Sequence, residues 1–270
     1  MSLIHAVAGF IASTLARISI AASRKKLAAF AHFNETSQRK VDHNIWDSFL
    51  TRYVKETRDG RLVIEYCAVS PDCKAHLKGY LSALQQEDPT TLSKDEAFVY
   101  WVNLYNALTV NIVLDYYPIK SIRDIHSGIR PGPWQRKLAK VRGIEISLDN
   151  IEHGILRAFW RDNRIHYAVN CASVGCPNLM SSAFRAVNLD ETLDQLAQSF
   201  ITHSRGVAFN EEGQVIVSSI YNWFKADFGG DDGGVIAHLS LYADQDTKQK
   251  LGRLDKIAHY SYDWTLNDAI

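Results

Sequence analysis

The stretch "RIHYAVNCASVGCPNL", residues 164–179, brings His166, Asn170, Cys171 and Cys176 together on one short piece of chain. A cysteine attacks a carbonyl carbon when a base stands within reach and a third group orients that base. Cys171 follows the β-rich run "RIHYAVN", which reads as an inner strand, and opens a turn containing Ser173 and Gly175. Free backbone N–H groups in such a turn would lower a thiol pKa and hold an oxyanion. Two histidines compete for the role of base. His153 lies on a short helix just upstream, and His166 lies five residues before Cys171. On a regular strand that odd offset puts His166 and Cys171 on opposite faces, which favours His153.

Glu152 sits next to His153. Neighbouring helical residues point about 100° apart, so Glu152 is not expected to orient His153 by a direct side-chain bond. It faces the cleft as an independent acid, or it pairs with Arg157. The structural alternative is an ordinary helix salt bridge for Glu152 and a satisfied core histidine at 153. Cys176 permits a disulfide to Cys171, which would silence the nucleophile except as a redox switch; in a reducing compartment it reads instead as a small buried hydrophobe. His153, His166, Cys171 and Cys176 are also zinc-type ligands, but no zinc spacing and no HExxH is present. No metal and no cofactor is therefore assigned. Asp231 and Asp232, in "GGDDGG", could coordinate calcium, although a surface loop is the usual reading of such a run.

The elements that must position these groups follow from hydropathic period. "HNIWDSFLTRYVKETRDG" places Ile45, Trp46, Phe49, Leu50, Tyr53 and Val54 on one helical face, with Gly60 as the stop. "RLVIEYCAV" follows as a strand and "KAHLKGYLSALQQ" as a helix. Ser93 then caps a long helix ending before Pro118, with Glu96 where a capping box places an acid. This helix is apolar nearly all round, which predicts a buried central position. Asn103 and Asn106 lie three residues apart within it. A buried amide without partners costs about 1–3 kcal/mol, so both must bond either to protein backbone or to a site. "KLAKVRGIEIS" is a hairpin turning near Gly143, Ser147 caps the helix "LDNIEHGILR", and "GVAFNEEGQVIVS" is a second hairpin. A helix through Leu193 and Phe200, another at "VIAHLSLYA" and a closing "IAHYSYDWTLN" complete the chain. Strands and helices occur without regular βαβ alternation. The predicted fold is a single α+β domain with a buried central helix on a mixed or antiparallel sheet.

The 270 residues carry 30 basic and 30 acidic side chains, so no net field draws in nucleic acid or an anionic membrane. P-loop, G-x-G-x-x-G and G-x-S-x-G patterns are absent. Trp101, Tyr105, Trp223 and Trp264 read as core rather than as a base-stacking platform, since no basic stripe accompanies them. Residues 1–40 form an apolar to amphipathic segment. Without an opening positive charge, and with Arg17 interrupting it, the segment is a poor leader and a broken membrane span. An exported or periplasmic location stays open beside a cytoplasmic one.

The motifs "YWVNLYNALTV", "SLDNIEHGILR", "RIHYAVNCASVGCPNL", "VSSIYNWFKADFGG" and "YDWTLN", in this order from Asp42 to Asn267, resemble the DUF547 family, a domain of unknown function. The resemblance implies a domain over residues 41–270 and carries no established reaction. It points to Asn103, Asn106, Glu152, His153, Arg157, His166, Asn170, Cys171 and Cys176 as the residues of interest. It also implies a distant similarity to papain- and transglutaminase-type thiol enzymes.

The sequence thus favours a cysteine-dependent hydrolase or acyltransferase acting on an amide, peptide or thioester bond of a small-molecule or peptide substrate. Cys171 would be the nucleophile and His153 the base. Glu152 would support them, and Asn103, Asn106, His166, Asn170 and Arg157 would position the site. The competing readings are a non-catalytic ligand- or protein-binding domain and, third, a zinc-binding protein.

Overall fold

The computed structural model describes residues 25–126 and 131–269. The apolar stretch at the N-terminus lies largely outside the described residues. Where description begins, Leu27 and Phe30 are buried in the main core, and Phe30 packs edge-on against Trp101 at 5.0 Å between ring centroids.

Helix α1 (Asn44–Tyr53) buries Trp46, Phe49, Leu50 and Tyr53 as the spacing predicts, while Ile45 points outward. It does not run on to Gly60. At Val54 the chain becomes extended and forms a hairpin, β1 (Val54–Glu56) with β2 (Leu62–Ile64), and Gly60 lies in its turn. Helix α2 (Pro71–Gln86) starts with Pro71 in its first turn, and Ser70 Oγ accepts the Cys73 N–H at 3.2 Å.

The long helix α3 (Lys94–Tyr116) is central, as expected. Ser93 Oγ accepts the Glu96 N–H at 3.4 Å. The reciprocal half of the capping box does not form, because Glu96 Oε1 takes the backbone N–H of Val41 instead, at 2.8 Å. By length and composition α3 could cross a bilayer, but 94% of its most apolar window is buried by the rest of the fold.

Beyond α3, strands β3 (Ala139–Val141) and β4 (Ile144–Ile146) pair antiparallel. Their turn has Arg142 at φ +49° and Gly143 at φ +78°, the left-handed pair that a two-residue hairpin needs. The predicted helix at "LDNIEHGILR" is present, but Asn150–Leu156 is wound as a π-helix before continuing as α4 (Arg157–Phe159). Such π segments are rare and occur often at functional sites.

The inner strand expected at "RIHYAVN" is not a strand. Ile165–Ala168 form one helical turn, α5, and the chain extends only from Val169. Ile165, His166, Tyr167 and Ala168 are all buried. A continuous buried run of this length reads alike as strand or helix from its hydropathy. The parity argument that set His166 and Cys171 on opposite faces falls with the strand.

The remainder is α6 (Leu189–Thr202), the hairpin β5 (Val207–Phe209) with β6 (Val215–Ser218), α7 (Ile220–Trp223), α8 (Asp232–Tyr242), α9 (Gln245–Leu251) and β7 (His259–Ser261). β7 joins β6 in parallel, so this three-stranded sheet is mixed. The architecture is α+β, with the sheet divided into three small pieces around a helical core. Two apolar clusters meet at residues 165–169: Ile165, Ala168 and Val169 join the core around α3, while Tyr167 joins the core of α6, β6 and α8. The residues leading into Cys171 are therefore clamped from two sides.

Candidate active site

Asparagines set the Cys171 loop. Asn106 Oδ1 accepts the Asn170 N–H at 2.8 Å, and Asn106 Nδ2 donates to the Ala168 carbonyl at 2.9 Å. Asn170 in turn accepts the Ala172 N–H at 2.8 Å and donates to the Pro177 carbonyl at 2.7 Å, closing the loop on itself. Asn103 makes the same two-bond brace one turn earlier, to the N–H and carbonyl of Phe184. The asparagines of the central helix are bonded to protein backbone.

Ala172 sits at φ +58°, uncommon for a residue with a side chain. Its N–H is held by Asn170 and its carbonyl by the Asn267 N–H at 3.1 Å, so the surroundings fix the conformation. The terminal "YDWTLN" segment runs along the other side of the loop. Val174 N–H donates to the Thr265 carbonyl and Gly175 N–H to that of Asp263, both at 2.8 Å. Gly175 is required there: a Cβ would stand 2.7 Å from the Asp263 nitrogen.

This bonding overturns one expectation. The N–H groups of residues 172, 174, 175 and 176 are committed to protein acceptors, and that of Cys171 points at Cys176 Sγ, 3.2 Å away. The N–H groups expected to be free for an oxyanion are in these cases already used.

The sulfur itself has polar neighbours. Cys171 Sγ lies 3.0 Å from Tyr262 Oη and 3.1 Å from Ser173 Oγ, and the two hydroxyls are 2.8 Å apart. Hydrogen bonding from Cys176 is the largest influence lowering the Cys171 pKa; burial opposes it, the Ser173 and Tyr262 hydroxyls reinforce it, and the Glu152 charge opposes it. The result is a thiol held below its ordinary value. Burial pushes the Cys176 thiol up, and burial also raises Tyr262, which keeps its proton and remains a donor. All four cysteines are free thiols, with Cys171 half-buried and Cys176 buried.

Cys171, Cys176 and Tyr262 line a cavity of about 200 Å³ together with Tyr105, Asp149, Glu152, His153 and His166. The π-helix and α5 supply the acid–base groups. Glu152 is buried, and Tyr105 Oη donates to its Oε2 at 3.1 Å. Its Oε1 lies 3.7 Å from His153 Nδ1 and 3.9 Å from His166 Nδ1, between the two rings. Glu152 and His153 thus make no direct hydrogen bond, as the helical offset predicts.

Glu152 does not pair with Arg157. Arg157 forks onto Asp227 instead, Nε to Oδ2 at 2.6 Å and Nη2 to Oδ1 at 3.0 Å, and its Nη1 is 3.2 Å from His153 Nδ1. Asp227 Oδ2 also meets His166 Nε2 at 2.7 Å. The His166 hydrogen bond first, and the Arg157 pair next, hold the Asp227 carboxyl well below the usual carboxylate range. His166 is further fixed by stacking on Phe224, with centroids 4.2 Å apart and planes 17° apart.

The structure therefore brings Cys171, His153, Glu152 and His166 to one cavity, with Arg157 behind it. Asn106 and Asn170 brace the sulfur's loop, while Asn103 holds the chain at Phe184. No imidazole among the described residues hydrogen-bonds to Cys171 Sγ, whose side-chain oxygen partners are Ser173 and Tyr262.

Sequence reasoning missed Asp227, Tyr262 and Ser173, and took Tyr105 for core alone. It also read Trp223 and Trp264 as core, yet both line the cavity, with rings 5.5 Å apart. Among the described residues, no group of three or more His, Cys, Asp and Glu is arranged to hold a metal ion. The "GGDDGG" carboxylates serve the fold: Asp231 caps α8, and Asp232 takes Lys225, the Ile257 N–H and Tyr260.

Residues 89–201, which contain the central helix, the π-helix and the Cys171 loop, match the sequence model of a family described as "Protein of unknown function, DUF547". Over these residues the chain is similar to DUF547. The elements that supply Glu152, His153, His166 and Cys171 all lie within the DUF547 match, whereas Asp227, Tyr262 and the terminal segment lie C-terminal to it. Neither a curated protein nor a solved structure matches the chain.

Proposed function

We propose that the cavity is the active site of a cysteine-dependent hydrolase or acyltransferase acting on an amide, peptide or thioester bond. The observation that carries this reading is the environment of Cys171 Sγ: half-buried at the cavity wall, 3.0 and 3.1 Å from two hydroxyls and backed by a second thiol. Donors placed in this way stabilise a thiolate without an adjacent imidazole.

In the proposed reaction the Cys171 thiolate attacks the carbonyl carbon. The C–S bond forms, and the bond to the leaving nitrogen or sulfur breaks. His153, partly exposed in the same cavity, gives the leaving atom its proton, and Glu152 between the two rings stabilises the charged imidazole. Water, or an acceptor nucleophile, then attacks the thioester. His153 takes its proton, and Cys171 departs as the thiolate. Tyr262 and Ser173 donate to the thiolate, and as charge leaves sulfur for the carbonyl oxygen the single Tyr262 O–H turns to the developing oxyanion. His166 and Arg157, tied through Asp227, act as positioning residues, as do Asn106 and Asn170 through the Cys171 loop, whereas Asn103 braces Phe184. The apolar side of the cavity, with Trp134, Trp223, Phe224 and Trp264, suits an acyl group with a flat or long apolar portion.

The same aromatic lining, together with a sulfur to which no imidazole among the described residues hydrogen-bonds, favours a second reading: a pocket that binds such a ligand without chemistry. One experiment separates the two. The full chain is incubated with a panel of acyl thioesters and acyl anilides, and with a fluorescent thiol-directed probe. The hydrolase reading expects turnover and probe labelling that both vanish in Cys171→Ser, and turnover that falls at least about 100-fold in His153→Gln with labelling retained. Full turnover by Cys171→Ser ends the thiol-enzyme reading. A thiol inert up to the ordinary cysteine pKa of about 8.5, in a chain that still binds the acyl compounds, supports the binding pocket.

A further inference from the structure

We infer that Cys171 and Cys176 form an oxidative modification site, in which Cys176 captures a peroxide-generated sulfenic acid at Cys171 as an intramolecular disulfide. This goes beyond the proposed acyl chemistry and needs no acyl substrate.

The geometry brings attacker and target together. Cys176 Sγ lies 3.2 Å from the backbone nitrogen of Cys171, and the turn between them is closed by the Cys176 N–H on the Ser173 carbonyl at 3.1 Å. Both residues are free thiols, and both line the cavity. They differ in access: Cys171 is half-buried, whereas Cys176 is 3% exposed. An oxidant entering the cavity therefore meets Cys171 first, with a second sulfur against the same residue. A low-pKa accessible thiol beside a resolving cysteine is the arrangement that redox-sensing sites use. Ser173 and Tyr262 hydroxyls at 3.1 and 3.0 Å would stabilise the attacking thiolate.

The oxidant is hydrogen peroxide. The Cys171 thiolate attacks one peroxide oxygen; the S–O bond forms, the O–O bond breaks, and hydroxide leaves and takes up a proton as water. Sulfur is oxidised by two electrons and peroxide is reduced by two. Cys176 then attacks the Cys171 sulfur. The S–S bond forms, the S–O bond breaks, and the departing hydroxide takes the Cys176 proton as a second water. In sum, two thiols and one hydrogen peroxide give one disulfide and two waters.

Both cysteines fall in one tryptic peptide, Ile165–Arg185, so the product is directly readable. The reduced full chain is treated with a small excess of hydrogen peroxide, blocked with iodoacetamide, digested and analysed by mass spectrometry, with dimedone present in a parallel sample. The expected wild-type product is this peptide two hydrogens lighter, unalkylated and restored by dithiothreitol. In Cys176→Ser the expected product is a dimedone adduct at Cys171, at least about tenfold above wild type. Equal dimedone labelling of Cys171 in both chains, overoxidation of wild-type Cys171 without a disulfide, or no oxidation of Cys171 would overturn the proposal. Wild-type disulfide mapping is decisive even if Cys176→Ser fails to fold. Because the readout is covalent mass, it stands or falls separately from any acyl turnover.

Discussion

Asn106 and Asn170 share one backbone brace: the buried amide of the first accepts the N–H of the second at 2.8 Å and donates to the Ala168 carbonyl at 2.9 Å. The brace joins the central helix to the residue before Cys171. It explains why a polar side chain sits at 2% exposure in a helix that is mostly apolar. Without it, a buried N–H and a buried carbonyl at the entrance to the loop would lose their partners.

Asn106→Ala is therefore expected to destabilise the protein by about 2–5 kcal/mol, the cost of two buried polar groups left unpaired plus a small void. Urea unfolding followed by tryptophan fluorescence measures this. An unchanged midpoint would mean that the brace is not what holds the loop.

The Tyr262 hydroxyl, 3.0 Å from Cys171 Sγ, is one of the donors that keep that thiol below its ordinary pKa. A hydrogen bond to a charged group is worth about 1.5–3 kcal/mol, or about one to two pH units. Tyr262→Phe should move the midpoint of Cys171 alkylation by iodoacetamide upward by about that amount. The direction is fixed, because only the thiolate form loses a donor. A midpoint that stays in place would show that Tyr262 does not act on the sulfur.

The central helix, its Ser93 cap and the two hairpins could be read in the sequence because each is announced locally, by a period, a cap residue or a turn glycine. Cys171 and its neighbours stood out because cysteine, histidine and asparagine are crowded into one short stretch. Three things were hidden for physical reasons. Ile165–Ala168 is buried on every side, and a fully buried run has no period to distinguish a helical turn from a strand. The π winding of Asn150–Leu156 depends on how the segment packs, not on a composition that marks it. Asp227 lies 61 residues from His166, in the 3-10 turn Lys225–Phe228, so only tertiary folding brings its carboxylate within 2.7 Å. Proximity along the chain offers Arg157 as one alternative partner for Glu152, whereas its forked head matches the distant Asp227 carboxylate in a bidentate pair.

That pair makes a prediction in acid. The Asp227 pKa is depressed by the His166 and Arg157 hydrogen bonds, against about 3.9 in the unfolded chain. Between those values the unfolded state binds a proton that the native state does not. The stabilisation is complete above about pH 4 and is lost as pH falls through the folded value. Asp227→Asn should destabilise the protein at pH 7 by about 1.5–3 kcal/mol and flatten the acid limb below about pH 4. Urea midpoints collected from neutral pH downward test both parts. A variant with the same acid limb as wild type would place the titration elsewhere.

A second pH window lies above the first. His43 and His238 are buried, and burial, the largest cause for each, lowers both pKa values to about 4 from the ordinary 6.5. Arg185 adds to the effect at His43 and His166 at His238, while nearby aspartates oppose it. Each ring meets a tyrosine hydroxyl: His43 Nδ1 is 2.6 Å from Tyr80 Oη, and His238 Nε2 is 2.7 Å from Tyr167 Oη. Here the unfolded chain takes up protons first, near pH 6.5, and the native chain only near pH 4. Stability is therefore full above about pH 6.5 and falls as pH drops towards 4, by up to about 3 kcal/mol for each histidine. His238→Phe keeps the aromatic packing and removes one titrating group. At neutral pH it should lose about 1–2 kcal/mol, because the Tyr167 and Asn163 bonds go unmade. Between pH 6.5 and 4 its stability should decline less steeply than wild type, with His43 and His203, whose pKa values burial also lowers, still titrating. Parallel wild-type and His238→Phe curves across that window would mean that His238 does not titrate on unfolding.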